Sequence, residues 1–334
     1  MFFKDAKVLI IGGTGTIGSS LLEQILLEHP RVVRILSRDE YKQYMLQNKL
    51  GTRKDVRYLI GDVRDYDRVL NAMNDIDYVF HAAALKHVPA CEYNPYEAVL
   101  TNIIGTYNVI KASIAQNVKK VTFTSSDKAI SPTNTYGATK LTAERLIAAS
   151  EHNKGDSKTV FSIVRFGNVI GSRGSVIPLF INQIVNEKMI TVTNLDMSRF
   201  MMTVNQATKL TIKAMKEAKG GDIFILKMPV IVLQDLVKII TEETCKKYNI
   251  DIKEVKIEEI GMRPGEKVFE ELMTYDESLI ALELSDMFII PSSGEKQNIY
   301  GNAKKARKGT YSSADQKILT LEEVRKLVLD QDLI

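Results

Sequence analysis

The feature that most restricts this 334-residue chain stands near its start, where an apolar run at residues 7–11 ends in Gly12-Gly13-Thr14-Gly15-Thr16-Ile17-Gly18. Glycines at 12, 15 and 18 have three separate physical uses. The first permits a tight turn, the second lets backbone approach a dinucleotide pyrophosphate, and the third lets the next helix pack closely on the strand. That helix then points its N-terminus at negative charge. Such a motif carries weight only between a strand and a helix, and the surrounding pattern supplies both. Short β-branched runs near 7–11, 32–37, 55–60, 77–81, 119–125 and 158–166 alternate with segments of helical apolar spacing. This is the rhythm of a doubly wound parallel sheet. The expected fold is α/β, a Rossmann-type sheet with a smaller C-terminal α/β substrate-binding lobe.

The rhythm breaks after residue 168, with glycines and prolines between 171 and 178 and a polar stretch at 191–199. A helix near 203–218, a strand near 222–226 and a helix near 232–247 follow. The expected division is a dinucleotide-binding domain over 1–167, to which 203–230 returns, and a substrate lobe formed by 168–202 and 231–334. Thr320-Leu321-Glu322-Glu323 has the form of a capping box opening a last helix.

Composition removes several function classes. Charged residues make up 26% and hydrophobic ones 45%, which suits a globular chain and excludes a disordered one. The net charge of +4 is spread along the sequence. Its one dense cluster, Lys304-Lys305-Ala306-Arg307-Lys308, reads as a solvated face, so no nucleic-acid partner is expected. Cys91 and Cys245 lack a CxxC partner and read as reduced thiols. The four histidines show no metal-ligand spacing, and no metal is expected. No apolar run reaches the roughly 18 residues of a spanning helix, and the N-terminus leads directly into the first strand. A cytoplasmic protein without membrane contact is expected.

At the end of the second strand stand Ser37 and Arg38, with Lys42 one helical turn on. A hydroxyl and a guanidinium can bind a ribose 2′-phosphate that a carboxylate would repel, so NADP is the expected cofactor. Asp39 can still reach a ribose hydroxyl, which keeps NAD as the second choice. Asp62 and Val63, after the third strand, are expected to flank the adenine. After the fourth, Ala82, Ala83 and Ala84 leave room for close approach to the cofactor, while His81 reads as a core histidine.

The fifth strand ends in Thr124-Ser125-Ser126-Asp127-Lys128, and Tyr136-Gly137-Ala138-Thr139-Lys140 follows eight residues later. Tyr136 and Lys140, four apart on a helix, share one face. The ammonium is expected to lower the phenol's pKa and make Tyr136 a base near neutral pH.

These stretches, together with His81-Ala-Ala-Ala-Leu-Lys-His-Val-Pro89, Arg165-Phe-Gly-Asn168 and Arg263-Pro264-Gly265-Glu266-Lys267, resemble the extended short-chain dehydrogenases. Within them the chain is similar to the inverting UDP-N-acetylglucosamine 4,6-dehydratases, over nearly its whole length. The Ser126-Asp127-Lys128-Ala129 block, ten residues ahead of Tyr136, is the most specific match, and this chain keeps the tyrosine that some relatives replace with methionine. The resemblance implies that Tyr136, with Lys140, removes the C4 hydroxyl proton while hydride passes to NADP. It further implies that Lys128 then acts as base at C5 and Asp127 as acid at the C6 hydroxyl. An uncharged lysine beside a protonated aspartate holds as many protons as the ion pair, so burial is expected to favour the neutral pair.

Thr14, Thr16, Ile17 and Lys86 join the implied cofactor contacts. Lys86, Asn168, Val169, Arg199, Arg263 and Glu266 are the implied contacts of a UDP-sugar. The chain departs from the family pattern at Asn194-Leu195-Asp196 and at Phe269, which leaves nucleotide and sugar open. Also open are inversion or retention at C5, a nucleotide-sugar 4-epimerase, and a non-catalytic NADP-binding regulator. By analogy with short-chain dehydrogenases, a homo-oligomer is expected.

Overall fold

The computed structural model describes residues 1–292, 300–331 and 334; the rest of the expected 231–334 lobe segment lies outside the described residues. Its centre is a ten-stranded sheet. Strands β1 (Lys7–Ile11), β2 (Val32–Ser37), β3 (Val56–Ile60), β4 (Tyr78–His81), β5 (Lys120–Thr124) and β6 (Val160–Arg165) lie in the spatial order 3-2-1-4-5-6, all parallel. Each falls within two residues of the reading from sequence. Asp222–Leu226 adds a parallel strand beside β6. Three antiparallel strands then extend the edge: Met287–Ile290, Leu282–Glu283 and Lys304–Lys305. The chain is thus an α/β protein with a Rossmann-type sheet.

A parallel strand covered on both faces needs apolar residues throughout, because successive side chains point to opposite faces. In β1, Leu9 and Ile11 enter one hydrophobic cluster, while Val8 and Ile10 enter the cluster on the other face with Val33 and Ile35 of β2. The outer strand Lys304–Lys305 is exposed. Paired lysines at such an edge discourage further strand addition, which agrees with a solvated face.

A third cluster builds the lobe, with Phe180 and Ile184 of the Val176–Glu187 helix, Leu236 and Ile240 of the Leu233–Tyr248 helix, and Val324 and Val328 of the last helix. Ser198–Met202 pairs with Val230–Val232 and with the short strand Asn168–Val169. The last helix, Leu321–Leu329, opens on the expected capping box, with Thr320 and Glu323 exchanging side-chain and backbone bonds. Among the described residues no helix is long and apolar enough to cross a membrane.

One ion network ties the lobe to the sheet. Arg165, at the end of β6 and fully buried, donates to Glu144 on the Thr135–Asn153 helix, to Glu277, and to the Leu272 carbonyl. Removing one partner from such a group strands the others in a dry interior. Arg165→Ala should therefore lower unfolding stability by about 3–5 kcal/mol, as read from urea denaturation.

Candidate active site

The glycine loop closes as its sequence requires. Gly12 has φ +83°, and a Cβ there would stand 2.7 Å from the Ala83 nitrogen; a Cβ on Gly18 would stand 2.3 Å from the Gly12 carbonyl. Gly15 is the N-cap of the helix Thr16–Leu26 and offers no side chain to its free N–H groups. These N–H groups form a ready anion site. Beside the loop runs a cleft of about 580 Å³, lined by Gly12, Thr14, Gly15, Ser37, Arg38, Asp39, Lys42, Asp62, Val63, Ala82, Ala83 and Ala84. Thr16 instead bonds the Arg173 backbone N–H at 3.2 Å, and Ile17 packs against the core on both sides of the sheet. Its shape, its glycines and its open helix N-terminus fit a dinucleotide.

The charges at the end of the cleft beside β2 and β3 are already arranged. Asp39 caps the helix Glu40–Leu50 through the Lys42 N–H at 2.9 Å, and the Lys42 ammonium pairs with the same carboxylate. Lys42 therefore has a partner of its own, which the sequence did not reveal. Asp62 accepts from Arg64 and lies 3.6 Å from Arg38. Arg38 is about half exposed, with 52% of its side chain accessible. Thr14 and Ser37 share a hydroxyl hydrogen bond of 2.7 Å.

Past Ala84 the chain is held by a residue that sequence reading missed. Asn102 lies in a π-helical stretch, Val99–Ile104, a wider turn that often marks functional sites. Its side chain bonds both backbone groups of Leu85, at 2.8 and 3.0 Å, and Thr139 of the Tyr136 helix at 2.9 Å. A buried Thr-Asn pair inside an otherwise apolar helical run was the available signal. His81 is buried, bonds Thr106 at 3.0 Å, and is pushed down to about 3 by burial, as suits a neutral core histidine.

The expected reactive groups converge beyond the end of β5. Asp127 begins a single 3₁₀ turn, Asp127–Ala129, and is almost fully buried. The Ser126 hydroxyl donates to Asp127 Oδ1 at 2.8 Å and lies close enough to the Tyr136 phenol to draw its pKa downward. Lys128 Nζ lies 3.1 Å from that same Oδ1. Gly137 lets the Tyr136 helix approach this turn, since a Cβ there would sit 2.1 Å from the Lys128 carbonyl.

A third charged group completes the cluster: Glu270 Oε1 is 3.4 Å from Lys128 Nζ, and the Glu270 side chain is only 5% exposed. No sequence signal marks it, because Phe269-Glu270-Glu271 looks like any acidic surface stretch. It corrects the expectation of a neutral Lys128. Burial alone would lower the lysine, but the Asp127 and Glu270 carboxylates outweigh burial and hold its ammonium above the usual lysine range.

A second correction concerns Tyr136. Burial pushes its phenol up to about 12, against the pull of Ser126 and Lys128. Lys140 does not act on it here, because its ammonium donates to the Thr124 carbonyl at 2.6 Å and sits 4.1 Å over the Phe123 ring. Burial drives Lys140 down to about 7, opposed only by Glu144.

The residues expected to bind substrate divide. Arg199 is committed to the chain, donating to the carbonyls of Ser198, Lys267 and Val268 at 2.8–3.0 Å. This clamp holds the segment that carries Glu270, so its guanidinium is occupied where a nucleotide contact was expected. Glu266 accepts from the Arg263 N–H at 3.1 Å and shapes the turn, while the Arg263 side chain is exposed. The Gly265 carbonyl accepts from Thr133 and Asn134, the latter the N-cap of the Tyr136 helix, and Lys267 reaches the Ile130 carbonyl at 2.8 Å. The Arg-Pro-Gly-Glu-Lys turn thus braces the reactive segment. Asn168 is half-buried and Val169 buried in their short strand. Lys86 is exposed, and desolvation of its amine, then Arg173 and Lys128, push it below the usual lysine range. Arg173, also missed, donates to the Thr14 carbonyl and reaches over the glycine loop.

Fold and site together define a Rossmann-type protein with a cleft beside its glycine loop and, beyond the end of β5, a buried Tyr, Lys, Asp and Glu cluster. The chain belongs to the polysaccharide biosynthesis protein family, which it matches over residues 8–292. It is 46% identical, over 98% of its length and 96% of the relative's, to an uncharacterised membrane protein of Methanocaldococcus jannaschii. It is 40% identical, over 99% and 98%, to a UDP-glucose 4-epimerase of Rickettsia bellii. Among solved structures, Pen from Bacillus thuringiensis is similar with 63% identity and a TM-score of 0.95, each chain covered completely.

The depressed Lys140 has a measurable consequence in the ligand-free protein. Its folded pKa of about 7 lies below the unfolded value, so the unfolded chain binds the extra proton between the two. Stability contributed at this position should rise as pH climbs from about 7 to about 10. In urea titrations the unfolding free energy of the wild type, relative to Lys140→Met, should increase across that window. A flat or falling difference would contradict the burial of this amine.

Proposed function

We propose that the chain is an NADP-dependent nucleotide-sugar 4,6-dehydratase that converts UDP-N-acetylglucosamine to a 4-keto-6-deoxy sugar with inversion at C5. The observation that carries this reading is the cluster itself, in which Lys128 and Ser126 both bond Asp127 and the Tyr136 phenol lies within reach of their charges. An oxidation at C4 needs only the tyrosine. An acid and a base one residue further are what an elimination across C5 and C6 adds.

A bound nicotinamide dinucleotide would supply the hydride acceptor for C4 and the donor for C6. The chain's own residues handle protons. Tyr136 takes the C4 hydroxyl proton as the ketone forms, and the ketone acidifies C5. Lys128 removes the C5 proton and Asp127 protonates the departing C6 oxygen, which leaves as water. Lys128 then returns a proton to C5. Asp127 has lost one proton over the cycle and Tyr136 has gained one, and Ser126, bonded to Asp127 and beside Tyr136, is the path by which they reset. The ammonium of Lys140 and the N-terminus of Thr16–Leu26 would hold the dinucleotide, and Arg38 and Ser37 would bind a 2′-phosphate. Asp39 is turned toward Lys42 and its own helix, which favours NADP over NAD. Arg263 and Asn168 hold the substrate diphosphate.

A 4-epimerase is the second reading, favoured by the name of the Rickettsia bellii relative. It requires Tyr136 and Lys140 but gives no task to Asp127 and Lys128. Incubation of UDP-N-acetylglucosamine with the protein in D₂O, followed by NMR, separates the two. A 6-methyl, 4-keto product carrying deuterium at C5 is expected; a galacto-configured product alone would establish the epimerase. Tyr136→Phe should cost about 10²–10⁴-fold in turnover, and Lys128→Ala should abolish exchange at C5 while dinucleotide binding persists. In titrations of the protein, Arg38→Ala should weaken NADP by about tenfold or more and NAD far less, as loss of a charge-assisted hydrogen bond would.

A further inference from the structure

The elimination leaves one buried acid without a task. Glu270 is nearly as enclosed as Asp127, and it approaches the same amine from a separate segment, the one leading into Glu271–Met273. The groups that face it are Lys128 and Asp127 from the turn after β5, Arg199 from Ser198–Met202, and Lys267 from its own segment. Its backbone is pinned to Ser313, whose hydroxyl accepts from the Glu270 N–H at 2.9 Å and whose N–H donates to the Glu270 carbonyl at 2.8 Å. Glu270 Oε2 and Asp127 Oδ2 are both buried with no hydrogen-bond partner. Two orphaned carboxylate oxygens around one ammonium are costly when both acids are ionised.

We propose that Glu270 sets the charge of Lys128, and that Lys128 becomes available as a neutral base only when Glu270 carries a proton. This inference rests on the dehydratase reading for its role in catalysis, though not for the charge coupling itself.

Proton bookkeeping gives the reason. With Glu270 protonated, the cluster holds two protons beyond the fully deprotonated set, and the forms Lys⁺/Asp⁻/GluH and Lys⁰/AspH/GluH differ only by one transfer from Lys128 to Asp127. With Glu270 ionised, the same transfer abandons an attraction to a carboxylate 3.4 Å away. Asp127 gains some relief by losing its repulsion from Glu270, but the lysine is the stronger charge felt at Glu270. The ammonium is then retained and the base is absent. Burial, partly countered by Lys128 and then reinforced by Asp127, moves Glu270 above the usual carboxylate range, toward the protonated form this role requires. Glu270 acts through Lys128 and is a positioning residue in this sense.

The test uses the full-length protein with NADP, as wild type, Glu270→Gln and Glu270→Asp. Competitive labelling with acetic anhydride, read by peptide mass spectrometry, reports Lys128 reactivity against exposed lysines of the same chain. At about pH 9, Glu270→Gln should raise Lys128 labelling by tenfold or more, the effect of lowering an amine pKa by about one unit. Labelling within about twofold of wild type would overturn the proposal. Glu270→Asp, whose carboxylate is withdrawn by one methylene, should give a smaller increase and decides the matter if the Gln variant fails to fold. The second readout is C5 deuterium incorporation across about pH 6 to 9. Wild type should slow on the alkaline side as Glu270 loses its proton, and Glu270→Gln should lose that alkaline fall. A variant that keeps it would also overturn the proposal. If the wild type incorporates no deuterium, the dehydratase reading fails while the labelling still decides the role of Glu270.

Discussion

The buried guanidinium of Arg165 is the point on which this architecture turns. It stands at the carboxyl end of β6, where the sheet stops and the lobe begins, and its donors are divided between the two. Glu144 belongs to the helix that carries Tyr136 and Lys140, and Glu277 to the segment that follows Glu270. A charge with no access to water tolerates little misplacement, because each lost bond leaves an ion unpaired. The Tyr136 helix and the Glu270 segment are therefore fixed relative to each other by the buried Arg165 network. The Gly265 carbonyl on the helix N-cap and the Arg199 clamp on residues 267 and 268 repeat that connection nearer the site.

That rigidity matters because the reactive cluster is unfavourable on its own terms. Its amine meets two enclosed carboxylates, with two carboxylate oxygens unpartnered. Left free, such groups would separate or take in water. Held together, they trade protons at little change in net charge, which a site that must be acidic and basic within one turnover requires. Ser126, bonded to Asp127 and beside Tyr136, brings the groups proposed to act at C4, C5 and C6 into one neighbourhood. The phenol and Lys140 are both shifted toward their neutral forms, away from the charges the proposed chemistry uses. Burial accounts for both, and the negative and positive charges a dinucleotide brings would alter that burial directly.

The sheet was readable from sequence because its constraint is local and repetitive. A strand buried on both faces must be apolar at every position, and β1 to β6 announce themselves in this way within one or two residues. The glycine loop was legible for a related reason, since a Cβ at Gly12 or Gly18 would collide with backbone. Strands of two or three residues, such as Leu282–Glu283 at the edge of the central sheet and Glu271–Met273 outside it, are too short for any period to show. Site residues followed the same division. Asp127, Lys128, Tyr136 and Lys140 lie close in sequence, so their spacing carried information. Glu270 reaches Lys128 across 142 positions of chain, and nothing in Phe269-Glu270-Glu271 distinguishes a buried acid from a solvated one. The resemblance implied Arg199 near the nucleotide, and only the fold shows that its guanidinium also bonds the carbonyls of Ser198, Lys267 and Val268.

The choice between eliminating and epimerising a sugar rests on charge more than on shape. Both proposed reactions need the same cleft, the same tyrosine and the same lysine four residues on, and a relative named as an epimerase aligns with this chain over 99% of its length. An enzyme that only rotates a 4-ketose gains nothing from an acid and an amine at the next carbons, and a buried pair there is a standing cost to stability. Retaining two carboxylates around Lys128, with a serine leading to the tyrosine, makes sense where a proton must leave C5 and an oxygen must leave C6. The cost of that burial is thus the strongest physical argument that the neighbouring groups are used.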